Sequence, residues 1–400
     1  AYESIVSGPN ILIRTSNGIY AIREKYLGER EPVYTELPFD RLTRDNCPDT
    51  FPLYIPPPGY IFKQEGIIMT PNFNEYAISF CHEDWSGKQW LGTWGDGVWR
   101  ADPRSLRMKP LPVGLATESV YCMFTEGDEY WFGSDNPDGG ITLWKKNNSR
   151  WEYFESRDNP FIPTNVVNDI TTIDSTVYFA TPNGLLSYNK QSATWRWIHS
   201  SVFSGECRTL INKNDTLFVG TEDGVSILCD NAPEGVRITE VGFPAVNKFT
   251  IWNGRLYAAS DEGGFWFNGK FMVQIHTPDG YLKGEVWATT SDSDGVWFVS
   301  DLGLLHYNQK TEERSTWAYD AYINSLVYDM VATDRYVWLA TENGVLKLRK
   351  EDEKWFSYSP EDGLAGNPVY HIVPDGDYIW FGTSEGATRF FWNDPSRVDW

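Results

Sequence analysis

Apolar residues along this chain come in short runs rich in β-branched and aromatic side chains, each broken within a few positions by Gly, Asn, Asp or Pro. That alternation predicts strands, whose side chains point to opposite faces at every second residue. One hairpin recurs: an aromatic or apolar pair, a small residue, Thr or Ser, a short turn, then Gly and a further apolar run. Its clearest copies are Trp90-Leu91-Gly92-Thr93 ending at Gly97 and Trp380-Phe381-Gly382-Thr383 ending at Gly386. Phe218-Val219-Gly220-Thr221 with Gly224 and Trp338-Leu339-Ala340-Thr341 with Gly344 follow the same plan, and weaker copies start at Leu12, Trp131, Tyr178, Tyr257 and Trp297. Turns such as Asn183-Gly184 and Asp223-Gly224 supply the positive φ of a tight hairpin.

From Gly97 to Gly386 the turn glycines recur about every 41 residues, the period of a four-stranded propeller blade. Each unit predicts an apolar strand A before the hairpin (Val120–Phe124, Val369–Val373), hairpin strands B and C, and a Trp-rich strand D after it (Arg150–Phe154, Lys354–Tyr358). The first copy predicts strands at 4–7, 11–15, 18–23 and 32–38, and Arg397–Trp400 is a candidate last D strand. The expected fold is therefore all-β, a single propeller domain over residues 1–400 with nine repeats counted and eight or ten blades as the alternatives. The small residue in strand B predicts close approach of neighbouring sheets, and the Trp beside it predicts packing between blades. Residues 39–75 break the period and read as an insertion between the first and second repeats, kept partly extended by Pro52 and Pro56–Pro58 and rich in rings such as Phe51, Tyr54, Tyr60 and Phe62. Within it, Tyr60–Gly66 resembles a further hairpin.

The final copy carries a more specific pattern. Asp362-Gly363-Leu364-Ala365-Gly366-Asn367-Pro368-Val369, followed by Trp380-Phe381-Gly382-Thr383-Ser384-Glu385-Gly386-Ala387, resembles the two-component regulator propeller repeat, which reads roughly D-G-L-P-x-N-x-V and then L-W-I-G-T-x-x-G-L. The resemblance implies a bacterial propeller of the extracellular or periplasmic sensor type, often responsive to glycans and sometimes secreted or surface-held without a kinase. Sensors of that family carry seven repeats per propeller, against the nine counted here.

Composition narrows the functions. With 34 Lys+Arg against 55 Asp+Glu the formal charge is −21, which argues against nucleic acid or an anionic membrane as partner. The 16% aromatic content excludes a disordered chain, and no apolar run is long enough to cross a membrane as a helix. The chain opens on Ala1 instead of Met, which reads as a processed or excised product with any targeting segment removed from view. Five cysteines form no CxxC pair, and Cys81, Cys122 and Cys207 lie in apolar runs that predict buried, inert thiols.

A propeller presents its chemistry where the loops leading into the A strands converge on one mouth of the channel. Polar residues before those strands are Glu118, Asn165, Glu206, Asn247, Glu285, Asn324 and Asn367, candidates for binding sugar hydroxyls or a cation; Trp94 is a candidate aromatic platform. The reading is a non-catalytic recognition or sensor module that binds a glycan or protein partner, or serves as a docking subunit of a surface assembly. Its rival is a polysaccharide lyase or hydrolase using mouth carboxylates or His371. No catalytic, metal-binding or cofactor motif is recognised. Asp135-Asn136-Pro137-Asp138-Gly139 and Asp292-Ser293-Asp294-Gly295 are oxygen-rich turns for which calcium is the alternative to ordinary turn chemistry.

Overall fold

In a computed structural model of the chain, each repeat is a small antiparallel sheet. The structure describes residues 3–393 apart from 8–9, 16–17, 24–33, 38–46, 71–74, 85, 94–96, 112–113, 138, 149, 204, 230–231, 241, 279, 309, 312 and 319–324. Among the described residues there are nine sheets, one per repeat, and no α-helix. Seven are four-stranded meanders; the second has six strands and the ninth has three. Strand bounds follow the hydrophobic pattern closely: Arg150–Phe154 and Lys354–Tyr358 are D strands, and the first copy forms Glu3–Ser7, Asn10–Thr15, Gly18–Arg23 and Tyr34–Leu37. The candidate last strand Arg397–Trp400 lies outside the described residues.

The nine sheets belong to two compact units, residues 1–114 and 115–400. In the larger unit the A strand of each sheet lies against the A strand of the next, and Val369–Asp375 of the ninth sheet lies against Cys122–Glu126 of the third. The Val120 N–H donates to the Thr383 carbonyl at 2.9 Å, the same link that the Val167 N–H makes to Ser134, also at 2.9 Å, between the third and fourth sheets. Seven sheets therefore close this ring. Repeats that look alike in sequence do not say where the circle closes; that is decided by which A strand fills the last free edge.

The small residue of strand B allows the sheets to approach as expected. A Cβ at Gly133 would stand 2.7 Å from Val167 of the next sheet, and one at Gly382 would stand 2.6 Å from the Val120 carbonyl across the closing seam. Farther out the gap is filled by rings: Trp131 packs edge-on to Phe179 of the next sheet at 5.5 Å, and Trp338 meets Phe381 at 6.0 Å. Burying rings of this size is the main apolar contribution between sheets.

In residues 1–114 the second sheet is built differently. Of the segment read as an insertion, residues 47–70 and residue 75 are described. Its hairpin-like piece is a hairpin, Ile61–Lys63 with Ile67–Met69, and it pairs onto the edge of the A strand Glu75–Glu83. Phe51, Tyr54 and Ile68 are buried with Trp99 in the core of this sheet. Cys81 is not the free thiol expected: it is bonded to Cys47, so the segment is stapled to strand A. Cys122 and Cys207 are free and buried as expected, and burial raises both thiols, that of Cys207 to about 12. Such thiols are unreactive.

Candidate functional site

The ring of residues 115–400 has a mouth shaped by one repeated irregularity. In five of its seven A strands the register slips by one residue at the same place, between Cys207 and Thr209, Val246 and Lys248, Val286 and Ala288, Val327 and Asp329, and Val369 and His371. Tyr121 and Asn168 stand at the equivalent place in the other two, their N–H groups donating to Gly133 and Ala180. A bulge adds one unpaired residue and re-aims its side chain. Here it sends Tyr121, Asn168, Arg208, Asn247, Trp287, Tyr328 and Tyr370 into one cavity of about 330 Å³.

These seven side chains divide by chemistry. Trp287, Tyr328, Tyr370 and Tyr121 come from four consecutive sheets and form an aromatic arc. Tyr370 contacts Tyr328 edge-on at 5.2 Å and Tyr121 at 5.1 Å across the closing seam. Burial raises all three phenols, that of Tyr121 to about 12, so they remain hydroxyl donors at neutral pH. The other three sheets supply a polar arc already fixed by hydrogen bonds. The Asn168 amide donates to the Cys207 carbonyl at 2.8 Å and the Asn247 amide to the Val286 carbonyl at 3.1 Å, each linking its sheet to the next. Arg208 lies between them, donating to Asn247 Oδ1 at 3.0 Å and to Glu206 at 3.2 Å.

One residue deeper on each A strand is a second layer: Cys122, Asp169, Thr209, Lys248, Ala288, Asp329 and His371, each opposite the small or apolar residue of strand B. Three of them meet. Lys248 Nζ is 3.1 Å from Asp329 Oδ1 and 3.2 Å from His371 Nε2. Burial alone would lower the Lys248 pKa, but the carboxylates of Asp329 and Asp169 outweigh it and raise it. Burial likewise pushes the Asp329 carboxyl up, and Lys248 and His371 bring it below its ordinary value. His371 is lowered by burial and then by the Lys248 charge. At neutral pH the floor is thus a cationic Lys248, an anionic Asp329 and a neutral imidazole. The Asp169 carboxylate is held apart by Thr209 and by the Leu210 N–H, both at 2.9 Å. His371 Nδ1 is buried without a hydrogen-bond partner among the described residues.

The residues picked from sequence fall in different places. Glu206, Asn247 and Glu285 line the mouth. Glu118 is exposed outside it. Asn165 is buried in the frame, accepting from the Ser156 N–H at 2.7 Å and donating to the Pro137 carbonyl at 2.8 Å. Asn367 packs toward the turn at Gly344 in the neighbouring sheet. Asn324 and Trp94 lie outside the described residues. The sequence-picked set mixes positions zero to four residues ahead of the bulge. Lining up the buried residue that begins each A strand would have found the bulge row: Val120-Tyr121-Cys122, Val167-Asn168-Asp169, Cys207-Arg208-Thr209, Val246-Asn247-Lys248, Val286-Trp287-Ala288, Val327-Tyr328-Asp329, Val369-Tyr370-His371. Of the calcium candidates, the Asp292 turn is occupied by the protein itself, its carboxylate receiving the Lys350 ammonium and, at 2.6 Å, the Trp297 indole N–H. Asp135 receives the Ser119 hydroxyl. No group of three or more His, Cys, Asp or Glu side chains suited to a metal occurs among the described residues, and no helix among them is long and apolar enough to cross a membrane.

No family model matches the chain, and no curated protein matches it. Many solved structures share its fold. The computationally designed protein Ika8 is 12% identical, with 79% of this chain and 96% of that one covered at a TM-score of 0.50. YCF48, solved bound to a D1 peptide, is 14% identical, with 72% and 96% covered at a TM-score of 0.55. The extracellular domain of BT4673 from B. thetaiotaomicron is 13% identical, with 99% of this chain and 65% of that one covered at a TM-score of 0.45. At these identities the likeness to the first two establishes the fold.

Proposed function

We propose that this chain is a non-catalytic recognition module of the sensor type, extracellular or periplasmic, that binds the end of a glycan at the mouth of its seven-sheet ring. The observation that carries the reading is the division of the mouth into an aromatic arc (Trp287, Tyr328, Tyr370, Tyr121) and a hydrogen-bonded polar arc (Asn168, Arg208, Asn247). A sugar ring has the matching character: its C–H faces pack on aromatic rings, and its hydroxyls at the rim both donate and accept. The polar arc is already held in place, which lowers the ordering cost of binding. A cavity of about 330 Å³ lies at the small end of ligand pockets, so one or two sugar residues are expected inside it. The Cys47–Cys81 disulfide favours an oxidising compartment.

The test is a glycan array probed with the intact chain, followed by calorimetric titration of the hits. Tyr370→Ala and Arg208→Ala should each weaken binding at least about tenfold, the effect of losing roughly 1.4 kcal/mol. The reading fails if no glycan binds, if both variants bind as well as the parent, or if the best ligand is a peptide. Turnover of a bound glycan, abolished by Glu206→Gln or Glu285→Gln, would favour the enzyme instead.

A further inference from the structure

The charge of −21 argues against anionic partners for the chain as a whole, but one cavity in residues 1–114 has the opposite character. It measures about 640 Å³ and is lined by Lys88, Arg100, Arg107 and Lys109, with Asp102 the only acid among the described residues that line it and Ile55 to Pro58 as one wall. Strand register explains the clustering. Arg100 stands opposite Lys109 and Asp102 opposite Arg107, so all four share one face of the second sheet, while Trp99, Ala101 and Met108 on the other face are buried in its core. Lys88 directly precedes the adjoining strand Gln89–Thr93, whose first residue pairs with Ala101. Asp102 is occupied locally: its carboxylate accepts the Arg104 N–H at 2.9 Å. The cations are thus in excess, and no carboxylate of the described residues forms an ion pair with Arg100, Arg107 or Lys109. The proline wall is fixed beside them, because Ile55 pairs with the outer strand through Leu106 and Met108 at 2.7 and 3.0 Å.

We infer that this cavity is a second binding site, for a short oligosaccharide bearing carboxylate or sulfate groups. Two guanidinium groups suit the paired oxygens of such anions. Cations on neighbouring strands about 5 Å apart, and two residues apart along a strand at about 7 Å, match more than one anionic group. The prolines offer a rigid surface without donors for the apolar faces of the sugar. Two alternatives fit less well. An extended peptide adding to the sheet edge would need main-chain groups that Ile55 already occupies, and a long nucleic acid would meet the net charge of −21 beyond the patch.

The experiment is calorimetric titration of the intact chain at low salt with trigalacturonate, sulfated maltotriose, plain maltotriose, tetraglutamate and a tetrathymidylate. Trigalacturonate separates a carboxylate preference from the sulfate preference that the sulfated sugar reports. At least one charged sugar should bind and plain maltotriose should not bind at this site. The double variant Arg100→Gln/Lys109→Gln should weaken the charged sugar at least about tenfold. Hydrogen exchange over residues 47–111 checks that the double variant keeps its sheet, with the exposed Arg107→Gln as a milder substitute. The inference is overturned if neither charged sugar binds, if the double variant binds them as well as the parent, or if tetraglutamate or the oligonucleotide binds as tightly. Failure here leaves the ring-mouth reading standing, because Arg208 and Tyr370 report on that site alone.

Discussion

Trp90-Leu91-Gly92-Thr93 and Trp380-Phe381-Gly382-Thr383 are near copies in sequence, yet their glycines do different work. A Cβ at Gly382 would press to 2.6 Å on the Val120 carbonyl of an adjoining sheet, whereas the nearest atoms to one at Gly92 among the described residues belong to its own sheet, the first at 3.4 Å on Phe80. The A strands beside them diverge too. His371 lies in the channel floor with Lys248 and Asp329, while Phe80, at the equivalent register, is 45% exposed. In the ring, the A strand packs against other A strands; in the second sheet, its first residues Glu75–Ala77 are paired by the added strand Ile67–Met69 and it is stapled by Cys47–Cys81. The same repeat therefore makes a blade of a closed ring in one place and the centre of a self-contained sheet in the other. The neighbours on the A edge decide which.

Four experiments press on that contrast. The largest effect belongs to the staple. Replacing Cys47 and Cys81 by Ser frees a loop spanning 34 residues, and loop-closure entropy puts the loss at about 4 kcal/mol. Hydrogen exchange should show faster opening across residues 47–111 and none across 122–391. The floor of the ring comes next: Asp329→Asn leaves the Lys248 ammonium without its nearest counter-charge, at a cost of about 3 kcal/mol in denaturant unfolding of the ring. The glycine pair gives the sharpest comparison. Gly382→Ala should cost about 1–3 kcal/mol because a carbonyl cannot yield as a side chain can, and Gly92→Ala should stay within about 0.5 kcal/mol. Equal effects at the two glycines would remove the distinction drawn between them.

The smallest effect is on pH. The folded His371 pKa lies below its ordinary value of about 6.5. The unfolded chain therefore binds the extra proton first, and the ring loses stability as pH falls through that window. Asp329, also lowered, contributes above its unfolded value of about 3.9 and loses that contribution as pH falls through its folded pKa. Lys248, raised, contributes fully below about 10.4 and loses it as pH rises through its folded pKa. Unfolding midpoints of the parent should thus decline between pH 7 and 5, and His371→Gln should flatten that part of the curve.

Strand positions were legible in the chain because hydrophobic alternation and turn glycines are local signals. Glu3–Ser7 and Lys354–Tyr358 could be placed without any knowledge of neighbours. Ring membership is not local. Nothing near Trp90 says that its A strand will be covered by Ile67–Met69, and nothing near Val369 says that Cys122–Glu126 will meet it. The disulfide was hidden for the same reason: Cys47 lies in the irregular segment and Cys81 in an apolar run, with no spacing motif to join them. The mouth was half legible. Polarity led to Glu206, Asn247 and Glu285, but four of the seven bulge residues are aromatic, and a search for polar residues passes over Tyr121, Trp287, Tyr328 and Tyr370. A one-residue register slip carries no composition; only superposing the repeats on their buried Val or Cys brings it out.

That slip has an evolutionary consequence. Because the strands on either side hold the backbone of this extra residue in place, its side chain is left to the mouth, although the Asn168 and Asn247 amides also link their sheets to the next. The seven equivalent positions act as an alphabet written on a constant frame, where Arg, Asn, Tyr and Trp already stand. A lineage built on this ring can change what it recognises one letter at a time, while the seam between Val120 and Thr383 keeps the page closed.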